Sequence, residues 1–180
     1  MSGARFYFDL ASPDSYLAAE RIGSLLPRAE WIPVLARGLA APAPAPEPGQ
    51  LAARAAELGL QPFRLPDPFP FDSALAMRVA TYAKAIGRTV AFAQAAFRQA
   101  YAGGHDLARE DFVLISAAAC EMHPHAVLAA ARSQSVAAQL AEATATARAA
   151  GVATVPAIAA RGSVHCGAEA LEDAAKAVLA

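Results

Sequence analysis

Cysteine is nearly missing from this chain. Two occur in 180 residues, Cys120 and Cys166, and neither belongs to a Cys-x-x-Cys pair. A dithiol redox centre is thereby excluded, and a reducing compartment would keep both side chains as thiols. Cys120 ends the helical run from Ile115 and reads as a small buried hydrophobe; a structural role is also the better reading of Cys166. The four histidines, His105, His123, His125 and His165, follow no metal-ligand spacing, and Pro124 separates two of them at a turn. No metal is expected. Charge is sparse as well, at 17% of residues, and balances to a net −1, which excludes the basic face of a nucleic-acid-binding protein. No apolar run approaches the ~18 residues of a membrane span. No signal-peptide core follows the Met1–Arg5 start. The expectation is a soluble cytoplasmic protein without a nucleic-acid or membrane partner.

Alanine and other apolar residues take that room. The apolar fraction is 56%, much of it alanine from Leu51 onward, and alanine favours helix. With so few charges, this apolar content suggests more apolar surface than a monomer of this size exposes, so a homodimer is expected. The length suits one domain, or a small domain carrying a large insertion.

Arg5–Leu10 reads as a strand, Asp14 to about Leu26 as a helix, and Glu30–Leu35 as a second strand. A right-handed crossover makes the two strands parallel neighbours, and Pro33 suggests an edge position for the second. The Pro/Ala tract 41–48 is read as an extended exposed loop, Gln50–Gly59 as a short helix and Pro62–Pro70 as a connector. Phe69–Ser73 leads into a helix capped by Asp72 or Ser73. From Ala74 to Ala150 the pattern is helix in about five segments. Val155–Ala160 and Ser163–Cys166 then read as a hairpin around Arg161-Gly162, followed by a helix from about Ala168 to Leu179. This order, βαβ then helices then ββα, predicts an α/β fold. A thioredoxin-like domain is split between residues 1–50 and 151–180, and a helical domain, 51–150, is inserted.

Chemistry is suggested at the first corner. In Phe6–Ala18, a short aromatic strand stops at Ser12-Pro13 and a helix begins. Serine is a strong N-cap and proline is favoured at the first helical position. Thioredoxin-like folds carry their Cys-x-x-Cys here, whereas this chain reads Ser12-Pro13-Asp14-Ser15. A helix N-terminus favours anions, so hydroxyls in this place suit activating a thiolate brought by a ligand. Ser15, one turn inward, is expected to satisfy its hydroxyl within the helix. A second corner is expected at Gly151–Pro156. Its place before the closing hairpin suggests a cis Val155-Pro156 bond facing the helix mouth, which would let Val155 offer its backbone to an extended peptide.

The opening motif, with Pro33–Leu35, Phe69–Arg78, Phe97-Arg-x-Ala-Tyr101 and Gly151–Pro156, resembles the 2-hydroxychromene-2-carboxylate isomerase family over nearly the whole chain. That family sits with the kappa-class glutathione transferases and is related to the DsbA oxidoreductases. The resemblance implies a DsbA-like fold, usually dimeric, with glutathione as cofactor and Ser12 contacting its sulfur. Val155 and Pro156 would hold the cysteinyl backbone. Gly167, Ala168 and Glu169 would receive the γ-glutamyl end, with Arg37 the cation nearest the site. The family's loop lysine and asparagine, and its usual Gly-Gln-Asp-Arg-Leu, are replaced here by Ala36–Ala41 and Gly167–Leu171.

The reading that follows is a glutathione-dependent isomerase or transferase acting on a small aromatic or conjugated electrophile. Phe69, Phe71, Met77, Phe92 and Phe97 are candidates for its apolar wall, although aromatics at helical spacing more often pack inside. A relative that binds glutathione without turnover is the alternative. Disulfide exchange is the weakest option, because serine cannot form the mixed disulfide it requires.

Overall fold

The computed structural model describes residues 3–41, 45 and 47–179, so most of the Pro/Ala tract read as a loop lies outside the described residues. Strand β1, Arg5–Phe8, is followed by helix α1, Pro13–Leu25, and strand β2, Glu30–Pro33. A single 3₁₀ turn, Ala36–Gly38, precedes α2, Pro48–Glu57. Five helices come next: α3 Ala74–Ala85, α4 Thr89–Tyr101, α5 Glu110–Ala118, α6 Pro124–Arg132 and α7 Gln134–Ala149. The chain closes with β3 Ala157–Ala160, β4 Ser163–Cys166 and α8 Ala170–Leu179. The strands form one mixed sheet in the order β2-β1-β3-β4. β1 pairs in parallel with β2 and antiparallel with β3, placing Phe6 opposite both Trp31 and Ile158. β2 therefore lies at an edge, which tolerates Pro33.

Alternation along β1 sends side chains to two faces. Phe6 and Phe8 enter the main core, where their rings stack 5.6 Å apart and meet Trp31 edge-on. Phe8 also meets Phe97 of α4, and Tyr16 of α1 stacks on Tyr101 at 5.5 Å. Tyr7 joins a smaller cluster on the other face with Val34, Ala147 of α7, Val152 and Val155. Helices thus cover both faces of the sheet. Glu20 of α1 and Arg98 of α4 add a two-pronged ion pair with both contacts at 2.8 Å.

Several local expectations shift. β1 ends at Phe8 rather than Leu10, and β3 begins at Ala157 rather than Val155, because the chain turns toward the site at both points. Ser73 precedes α3 without a side-chain cap bond; Asp72 does the capping, accepting from the Ala74 N–H at 2.9 Å. Cys120 is buried as expected, while Cys166 is exposed rather than packed. Among the described residues no helix is long and apolar enough to cross a membrane. No cluster of metal-ligating side chains occurs among them either.

Candidate active site at the mouth of the first helix

The β1–α1 corner is a tight turn in which the Ser12 N–H donates to the Asp9 carbonyl at 3.0 Å. Ser12 then takes extended backbone angles as N-cap of α1, with Pro13 at the first helical position. Its Oγ accepts from the Ser15 N–H at 3.1 Å. That bond uses a lone pair and leaves the hydroxyl proton without an acceptor among the described residues. Ser12 borders a cavity of about 500 Å³ whose lining includes Asp9, Asp14, Arg37, Phe71 and Val155.

Val155-Pro156 is a cis peptide, as expected, and Val155 lines the same cavity as Ser12. Neither the N–H nor the C=O of Val155 takes a backbone partner among the described residues. The corner is anchored from behind by the Gly167 N–H, which donates to the Pro156 carbonyl at 2.8 Å. Gly167 has φ of 92°, a conformation that favours glycine. Two hydroxyls at these corners are buried without a partner, Ser15 Oγ and Thr154 Oγ1. The expectation that α1 would satisfy Ser15 is therefore corrected: the hydroxyl finds no acceptor in the helix.

Asp9 forms the floor. Only 3% exposed, it accepts from the Ala11 N–H at 2.9 Å through one oxygen and from the Ala36 N–H at 2.8 Å through the other. A single carboxylate thus ties the β1–α1 turn to the loop after β2. Burial pushes its pKa up. The two N–H bonds, the Ser73 hydroxyl and the Arg37 charge oppose that rise without cancelling it. Behind it the Tyr101 hydroxyl donates to the Leu10 carbonyl at 3.1 Å, and burial holds that phenol well above its ordinary pKa.

The expected site residues divide into two groups. Ser12, Val155 and Arg37 line the cavity; Arg37 is its one cation among the described residues and is paired with Asp72 at 2.9 Å. Gly167, Ala168 and Glu169 lie just before α8, outside that lining. There Arg54 of α2 donates to the Ala168 carbonyl at 3.1 Å and pairs with Glu169 at 3.0 Å. Asp14 links the two groups: it lines the cavity, and Arg54 and Glu169 both act on its charge. Its pKa is raised, first by burial and then by Glu169, against the pull of Arg54. Of the candidate wall residues, Phe69 and Phe71 line the cavity, whereas Met77, Phe92 and Phe97 belong wholly to the core.

Sequence reasoning missed Asp9, Asp14 and Arg54. Asp9 carried a signal, being an acid inside the apolar run Phe6–Leu10. Arg54, in an alanine-rich helix, carried none.

A strand-to-helix corner opposed by a cis proline is the arrangement of a thioredoxin fold, here with hydroxyls at Ser12 and Ser15. The sequence matches the DSBA-like thioredoxin domain over residues 5–179, and the chain belongs to that family. Its fold is similar to that of a 2-hydroxychromene-2-carboxylate isomerase, with a TM-score of 0.85 at 20% identity over 98% of this chain and 94% of the other. It is also similar to a probable DsbA oxidoreductase from Streptomyces coelicolor, with a TM-score of 0.81 at 18% identity over 97% and 87% of the two chains. The cytosolic disulfide reductase DsbM from Pseudomonas aeruginosa, solved with GSH, matches with a TM-score of 0.67 at 16% identity over 99% and 97%. No curated protein matches the sequence.

Proposed function

We propose that this protein is a glutathione-dependent isomerase or transferase of a small, aromatic or conjugated electrophile. The observation that carries the reading is the meeting in one cavity of two unused sets of groups. They are the Ser12 hydroxyl proton and the backbone N–H and C=O of Val155. A short extended peptide pairs with the backbone at Val155 in the manner of an added strand, and Ser12 donates to its sulfur. Bound glutathione supplies a thiolate nucleophile. The N-terminus of α1 favours that charge, and Ser12 holds it with a charge-assisted hydrogen bond. Phe69 and Phe71 offer the apolar wall against which a conjugated electrophile lies. Arg54, held between Glu169 and the Ala168 carbonyl, supplies the cation that the Gly167–Leu171 segment lacks. The solved DsbM–GSH complex is consistent with this choice of ligand in the same fold. We extend the proposal to a cytoplasmic homodimer.

Retention on glutathione-agarose followed by calorimetry tests the binding step. Turnover of conjugated electrophiles with and without glutathione tests the chemistry. Retention with turnover supports the enzyme, and retention without turnover identifies a binding protein. Absence of glutathione binding at millimolar concentration refutes both.

A further inference from the structure

The floor of the cavity holds an ionisable group that the proposed binding mode leaves unused. Resting on the glutathione reading above, we infer that Asp9 is the catalytic proton acceptor of the site, taking the thiol proton as glutathione binds and returning it on release.

The geometry supports the role in three ways. Asp9 lines the same cavity as Ser12 and Val155, and a turn closed by the Ser12 N–H on the Asp9 main-chain carbonyl holds the two residues three positions apart at one corner. Two backbone N–H groups fix the carboxyl in place, one on each oxygen, and each oxygen keeps a further lone pair for a proton. Only 3% of the residue is exposed, so the cavity is the side from which a proton reaches it. Its raised pKa lies on the side that makes a carboxylate a better base.

The transfer balances within the site. The S–H bond breaks and its electron pair remains on sulfur, where Ser12 donates to it. An O–H bond forms on Asp9, and the total charge of the cavity is unchanged. Adjacent anions on the sulfur and on Asp9 would repel, so this pair favours a single negative charge, held on sulfur or on oxygen. The other charged and titratable groups around Asp9 are Asp14 on α1, Arg37 after β2, Asp72 before α3 and Tyr101 on α4. Arg37 favours the Asp9 anion, while the Tyr101 phenol is neutral near pH 7 at its ordinary pKa and burial raises that pKa further.

The test counts protons rather than turnover. Glutathione is titrated into the whole protein at neutral pH by calorimetry in buffers of different ionisation enthalpy, and thiolate formation is followed by ultraviolet absorbance. The expected result is a bound thiolate with close to no proton released to the buffer. An infrared band of a protonated carboxylic acid should appear on binding and shift when aspartate is carbon-13 labelled. That band should persist in a chain carrying Asp14→Asn and Asp72→Asn. In Asp9→Asn the band should vanish, and the thiolate should either be lost or form with release of about one proton per site.

Thiolate formation with one proton released by the wild-type chain overturns the inference and leaves the glutathione reading standing. So does a band that disappears with Asp14 and Asp72, or an Asp9→Asn chain that still forms thiolate without proton release. If Asp9→Asn does not fold, the wild-type proton count and the labelled infrared band decide the matter alone. A wild-type protein that binds no glutathione overturns the inference and the functional reading together.

Discussion

Replacing Ser12 with alanine separates the two things its hydroxyl does. As an N-cap it accepts from the Ser15 N–H at 3.1 Å, and losing such a cap costs about 1 kcal/mol. For a domain of this size that corresponds to a melting point lower by roughly 2–4 °C. As a donor, the same hydroxyl faces the cavity with its proton unused. A hydrogen bond to a charged group is worth ~1.5–3 kcal/mol. At ~1.36 kcal/mol per pKa unit, its loss should raise the pKa of a bound glutathione thiol by about one to two units.

The two effects have separate assays. Thermal unfolding without ligand reads the cap. Ultraviolet absorbance of bound thiolate, followed across pH, reads the donor. The thiolate titration should move upward in Ser12→Ala, and the pH optimum of any turnover should follow it. Ser12→Thr keeps a hydroxyl and should restore both properties in large part. An unchanged thiolate titration in a folded Ser12→Ala protein that still binds glutathione would refute the assigned role. Destabilisation alone would reduce Ser12 to a helix cap.

Gly38→Ala tests the loop that presents Arg37. A Cβ there falls 2.7 Å from Thr144 Cγ2, and Thr144 is fixed by bonds to the Leu140 carbonyl and the Leu35 N–H. Such overpacking should cost about 1–3 kcal/mol in denaturant unfolding, and an unchanged midpoint would show that the loop yields. Glu172 gives a prediction in pH. Burial acts to raise its pKa, but the Arg21 bond, its own backbone bond and the charges of Arg21 and Arg54 hold it below the usual glutamate value. Its stabilising contribution is therefore present above the unfolded glutamate pKa and is lost as pH falls through the lowered value. Glu172→Gln should flatten the acid limb of the stability curve, and an unaltered limb would rule the pairing out as a contributor. Light scattering should report a homodimer; a monomer independent of concentration would refute that expectation.

Local chemistry was the legible part of the fold. The Ser12-Pro13 start of α1 and the Arg161-Gly162 hairpin rest on neighbours a few residues apart, and the parallel β1–β2 pair follows from the single helix that joins its strands; all three fall where expected. Boundaries moved where one residue overrode the pattern. α2 starts at Pro48, because proline at the first helical position opens it before Gln50. α8 starts at Ala170 because Gly167 turns at positive φ. The Pro62–Pro70 connector showed only its prolines. Its Phe63 ring stacks on Tyr101 at 5.8 Å and its Arg64 N–H donates to the Tyr101 carbonyl at 2.7 Å, contacts that need the tertiary fold.

The site divides along the same line. Ser12 and Val155 were legible because a cap and a residue before a proline carry their meaning in the next position. Asp9 was legible only as an acid inside an apolar run: one of its partners, the Ala11 N–H, is two residues away, but the other, the Ala36 N–H, lies 27 residues away. Arg54 was not, because its partner carbonyl, Ala168, lies 114 residues away. What the structure adds is a set of local costs that packing alone would remove. A buried carboxylate with a raised pKa and two buried hydroxyls without partners, Ser15 and Thr154, occur at the two corners that face each other. Apolar side chains in those places would avoid both penalties. Departures from consistent packing collect where a fold is used, and here three such departures lie beside Ser12, whose hydroxyl proton faces the cavity.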